Sequence, residues 1–171
     1  MTGEAHKPLK LRVRDEDDLT VLSTLLQDAL LPVQDMTFLP REKRFVMVLN
    51  RFCWERAPEP LDLSGQEEEE DEDEGDVRFE DVGGDDLYHR VNAGLTFDNV
   101  KLARFRGFDQ DKRGLILELL SIEARDKSLF LRFAEGAEVE LVISRLSGHL
   151  EDLGEPWPTT RRPAHPDKDE A

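Results

Sequence analysis

Basic side chains are the residues of this chain with the most chemical reach. Arg104 and Arg106 stand two apart in a segment that reads as a strand, so both project from one face. Lys101 and Arg132 are near them in sequence, and Arg41, Lys43 and Arg44 tip an expected hairpin. Lys101, Arg104, Arg106 and Arg132 thus define a candidate face for an anion or a partner. It could meet phosphate, an acidic protein, or the chain's own acidic run. The other reading is a solvated sheet face, because Asp109, Asp111, Glu118 and Glu123 are interspersed with these cations.

Other chemistries find less support. His6, His89, His149 and His165 do not pair at helix or hairpin spacing, and Cys53 is the sole cysteine. A zinc site needs several such ligands together, so no metal and no cofactor is expected. Asp109 to Gly114 opens like a calcium loop, but Arg113 and Leu120 stand where ligands are required. Cys53 lies beside Trp54 in an apolar segment. It reads as a small buried hydrophobe, since a reactive thiol needs a depressed pKa. Gly83-Gly84 stands alone, without the rest of a phosphate loop, and no nucleophile elbow occurs. An enzyme would have to assemble its site from residues distant in sequence. Glu118, Glu123, His89 and Arg104 are the polar candidates for that reading. The enzyme question stays open and leans toward no.

The chain has 171 residues, with 23 basic and 39 acidic side chains and a formal charge of −16. Residues 67–86 alone hold thirteen acids and one arginine, Arg78. The rest of the chain is therefore close to ordinary in charge. A strong negative balance disfavours attraction to nucleic acid. No apolar run is long enough to span a bilayer and the N-terminus has no signal-like core, so a cytoplasmic location is expected.

Periodicity supplies the elements that must position these residues. Residues 9–13 alternate as a short strand. Acids at 15–18 suit a helix start, and Leu19, Leu22, Leu26, Ala29 and Leu30 carry that helix over about 16–30. Residues 36–39 and 44–54 form a hairpin around a polar turn. Strands are expected over 88–97, 100–108, 115–124, 129–133 and 138–142. Leu146, Leu150 and Leu153 suggest a closing helix to 153. These elements predict a single α+β domain over 8–154, interrupted by an acidic disordered insert at 57–86 and followed by an extended or disordered tail at 155–171. The fold class is a mostly antiparallel sheet or partly closed barrel, with an N-terminal crossover helix and a C-terminal helix. Its element order is like that of a pleckstrin-homology barrel.

Four segments carry a family resemblance: 19–28 (LTVLSTLLQD), 46–54 (VMVLNRFCW), 95–100 (LTFDNV) and 150–158 (LEDLGEPWP), with Pro163-Ala164-His165-Pro166 behind. Together they resemble an alphaproteobacterial family, domain of unknown function family 2948. The resemblance covers nearly the whole chain outside the acidic run, and implies a stand-alone bacterial cytosolic domain. It implies no activity, cofactor or catalytic residue. The functional expectation is a non-enzymatic protein-binding or accessory module. The alternatives are the assembled enzyme site and an anion- or nucleic-acid-binding domain. An unknown protein partner is expected, with no membrane.

Overall fold

The computed structural model describes residues 7–56, 59–60, 86–159 and 163. The chain opens with β1 (Lys10–Val13), whose apolar Val13 points inward while Lys10 and Arg12 face solvent. Helix α1 (Glu16–Leu25) follows. Asp15 starts it: the Asp18 N–H donates to the Asp15 carboxylate at 2.8 Å, and Glu16, Asp17 and Asp18 meet the positive end of the helix dipole.

The helix is shorter than the leucine spacing predicts. Asp28 takes a left-handed φ of +64°, and its N–H donates to the Leu119 carbonyl at 2.8 Å. That turn releases Leu30–Pro32 as a short strand, β2, between two other strands. Then come β3 (Met36–Leu39) and β4 (Arg44–Phe52), the expected hairpin. The two-residue β5 (Glu59–Pro60) pairs with the start of β6 (Asp86–Phe97). The acidic run at 67–76 lies outside the described residues. The remaining strands are β7 (Val100–Arg106), β8 (Ile116–Arg125), β9 (Ser128–Phe133), β10 (Glu138–Ile143) and β11 (Gly148–Thr159).

Every pairing is antiparallel, in the order β1-β11-β6-β4-β2-β8-β9-β10-β7, with β3 beside β4 and β5 beside β6. The sheet curls: the Val100 N–H at the start of β7 donates to the Lys43 carbonyl at 2.8 Å, and the Phe105 and Phe45 rings lie 6.2 Å apart. The two ends of the path do not pair, so the sheet is not a closed barrel. Its inner face buries Phe45, Met47, Leu49, Leu95, Phe97, Leu129, Leu131 and Leu141, covered by Leu19, Leu22 and Leu26 from the helical segment.

The expected C-terminal helix is a strand. β11 runs antiparallel to both β1 and β6 and continues to Thr159. Its burial alternates: Gly148, Leu150 and Asp152 are buried, while His149, Glu151 and Leu153 are exposed. The leucine spacing misleads because one inward position is a carboxylate and Leu153 lies on the outer face, where it covers Gly94. Without a capping helix, the likeness to a pleckstrin-homology barrel loses its closing element.

That inward carboxylate has a purpose in the core. Arg51 on β4 is fully buried. Its Nε and Nη2 donate to Asp152 at 2.8 Å each, and its Nη1 and Nη2 donate to Glu55 at 2.9 and 2.7 Å. Asp152 also accepts the Leu9 N–H at 3.0 Å. The network ties β4, β11 and the residue before β1 at one end of the core.

Candidate anion-binding groove

At one end of the β1–β11 ladder the chain assembles a groove from three segments. Arg12 sits opposite His149 in register. Arg14 follows β1, its N–H held by the Asp18 carboxylate at 3.0 Å. Arg145 comes from the loop joining β10 to β11. That loop is stitched to the tight turn after β6: Ser144 N–H donates to the Asn99 carbonyl at 3.0 Å, and Asp98 N–H donates to the Ser147 carbonyl at 2.8 Å. Asn99 adopts a left-handed φ of +59°, which its short polar side chain tolerates.

Arg12, Arg14, Asp98, Arg145, Leu146, Ser147, Gly148 and His149 line an open groove of about 640 Å3. Arg12, Arg14, Arg145 and His149 are exposed. Asp98, the acid in the wall, is engaged by Arg44 at 2.9 Å. None of the three groove guanidiniums has an ion-pair partner among the described residues. A neighbouring hollow of about 350 Å3 shares Arg14 and Arg145 and adds Lys127, with Asp15, Glu16 and Asp126 equally in its lining. Three arginines lining one concave surface suit carboxylate or phosphate, because each guanidinium fork can donate two parallel N–H bonds to such a group.

The sequence-expected basic face is arranged differently. Arg104 and Arg106 project from β7 toward acids on β10. Arg106 reaches Glu138 and Glu140 at 2.8 Å each, and Arg104 lies 3.5 Å from Glu140. Arg132 on β9 sits 3.4 Å from Glu123 and 3.8 Å from Glu138. Lys101 stands at the register irregularity between β7 and β10, without a cross-strand partner of its own. The structure therefore brings Arg104, Arg106 and Arg132 together, interleaved with Glu123, Glu138 and Glu140. The enzyme candidates are spread out: His89 is on β6, Arg104 on β7, and Glu118 and Glu123 on β8. Arg104 and Glu123 are engaged with Glu140 and Arg132.

A family model described as protein of unknown function (DUF2948) matches residues 9–165. The chain belongs to that family. No curated protein and no solved structure matches the chain. The DUF2948 match includes both strands of the groove and the Arg51 network. Among the described residues, no group of three or more His, Cys, Asp or Glu could hold a metal ion, and no helix is long and apolar enough to cross a membrane.

Away from the groove, burial and hydrogen bonding shift the titration of a thiol and two carboxylates. Burial pushes the Cys53 thiol up to about 11, more than nearby Arg51 lowers it, so the thiol stays protonated at neutral pH. Burial opposes ionisation of Glu55, yet the Arg51 hydrogen bonds hold its pKa below the ordinary carboxylate value. Glu140 is likewise lowered, first by the Ser128 hydroxyl at 2.9 Å and then by Arg106. A carboxylate with a depressed folded pKa stabilises the fold above its unfolded pKa of about 4.3, and that contribution is lost as pH falls through the folded value. Urea midpoints measured from pH 7 downward should fall below about pH 4.5, and Glu55→Gln should flatten the slope. An unchanged slope in Glu55→Gln would show that the Arg51–Glu55 pair is not titrating.

Proposed function

We propose that this DUF2948 protein is a non-catalytic binding module that holds an anionic group of a protein partner in the Arg12–Arg14–Arg145 groove. The observation that carries this reading is that three arginines with no ion-pair partner among the described residues line one hollow. Elsewhere on the described sheet, Arg44, Arg51, Arg104, Arg106 and Arg132 are matched to carboxylates, while Arg90 is held by Asn50 and Arg125 stands singly at the end of β8. The formal charge of −16 favours a protein or small-molecule anion over nucleic acid, whose backbone would be repelled by the molecule as a whole. Arg104, Arg106, Lys101 and Arg132 are a secondary surface in this reading, because an incoming anion there must compete with Glu123, Glu138 and Glu140.

Titration of the isotope-labelled protein with inorganic pyrophosphate at low salt tests the groove. The expected result is amide shifts at 12–14 and 144–149, with an Arg12→Ala/Arg145→Ala variant losing roughly tenfold or more in affinity, about 1.4 kcal/mol or more. The affinity should weaken with added salt, since exposed charges are screened. Pyrophosphate binding that is unaltered in the double variant, or centred on Arg104 and Arg106, would overturn the assignment.

A further inference from the structure

The geometry points to β1 as an open edge that receives an extended segment of the partner protein, one whose acidic residues alternate with apolar ones. This inference rests on the anion-binding reading of the groove and names the kind of partner that brings the anion. Among the described residues β1 is the end strand of the sheet path, paired on one side only, to β11. Which backbone groups it leaves open follows from the ladder. Leu9 faces Asp152: the Asp152 N–H donates to the Leu9 carbonyl at 2.9 Å, and the Leu9 N–H goes to the Asp152 carboxylate at 3.0 Å. Alternate residues of an antiparallel strand point their hydrogen-bonding groups the same way. Leu9, Leu11 and Val13 therefore address β11, and the N–H and C=O groups of Lys10 and Arg12 point away from it. The Arg14 N–H is taken by Asp18, which ends the open stretch.

The side chains define what can lie along that edge. Lys10, Arg12 and Arg14 are all exposed, at every second position. Leu9 and Leu11, on the opposite face, are only partly buried against the core. A second copy pairing through β1 would set these cations against one another, and like charges across a ladder are destabilising. A strand with acids on the basic side and apolar residues on the other would match the charges and cover Leu9 and Leu11. Lys10 already shows the preference, lying 3.5 Å from Glu151 across the ladder. The hollow over the β1–β11 ladder, lined by Lys10, Leu11, Arg12, His149, Leu150 and Glu151, shares Arg12 and His149 with the arginine groove. Main-chain pairing would supply binding that does not depend on sequence, and the alternating charges would select the partner.

The test uses the full chain and a synthetic Val-Glu-Val-Glu-Val-Glu peptide with blocked ends. A control peptide has the same side chains, with N-methyl groups at the positions that would donate to β1. The expected result is binding of the first peptide, slowed hydrogen exchange of the Lys10 and Arg12 amides, and at least about tenfold weaker binding of the methylated one. Equal binding of both peptides, or no change at those two amides, would overturn strand addition. If pyrophosphate still binds in that case, the groove reading stands. If pyrophosphate also fails, both readings fall.

Discussion

An Arg51→Met variant is expected to unfold at a markedly lower urea concentration, with a loss of about 3–5 kcal/mol. The guanidinium is fully buried and makes four hydrogen bonds of 2.7–2.9 Å to two carboxylates. Burying so large an ion is costly, and these bonds offset the cost. They raise its pKa beyond the ordinary arginine value even though burial alone would lower it. Removing Arg51 takes from the fully buried Asp152 carboxylate the guanidinium that donates two hydrogen bonds to it, and breaking a buried ion pair from one side is strongly destabilising. Glu55 suffers less, because its side chain is 35% exposed and can recruit water. Arg51→Met combined with Asp152→Asn should therefore recover most of the loss: the charge is gone and an acceptor for the Leu9 N–H remains. Arg51→Lys should not recover it, since an ammonium cannot present the two-pronged fork that Asp152 receives. A single variant within about 1 kcal/mol of the parent would show that the network contributes little.

A Gly107→Ala variant should lose about 2–5 kcal/mol, combining left-handed backbone strain with overpacking. Gly107 has φ of +79°, and an added Cβ would meet the Gly136 carbonyl oxygen at 2.3 Å and the Ala137 Cα at 3.1 Å. The obstacle is backbone, so no side-chain rotation relieves it. Gly136→Ala is the matched control: its φ is +78°, but nothing lies within 4 Å of the new Cβ. That variant should lose only about 1–2 kcal/mol, the conformational share alone. Thermal or urea unfolding of the pair separates the two contributions. Equal losses would mean that the Gly136 carbonyl moves aside and that crowding is not what selects glycine at 107.

Much of the strand order was legible because strand and turn signals are local. Residues 36–39 and 129–133 appear as strands, the second with Leu129, Leu131 and Phe133 inward as expected; the strand expected over 44–54 ends at Phe52, and acids cap the helix start, Asp15 among them. The β2 strand was hidden because three residues ending in Pro32 look like the tail of a helix. The groove was hidden by the same kind of ambiguity. While 143–153 reads as a helix, Arg145 and His149 belong to one helical face and have no reason to meet Arg12. Once β11 is a strand, register alone places His149 opposite Arg12, and the loop before it carries Arg145 alongside.

The sequence by itself determined the helix cap, the mostly antiparallel strands, the acidic surplus and the family, each of which depends on residues close together in the chain or on simple composition. The tertiary structure decided what Arg51, Asp152 and the groove arginines do. Arg51 and Asp152 lie 101 positions apart, and each read alone is a charged residue suited to the surface. Only the sheet order, which sets β4 and β11 on either side of β6, lets the two side chains meet and satisfies both charges in the core. The same order, continued to β1, places Arg12, Arg14 and Arg145 around one groove with no ion-pair partner among the described residues.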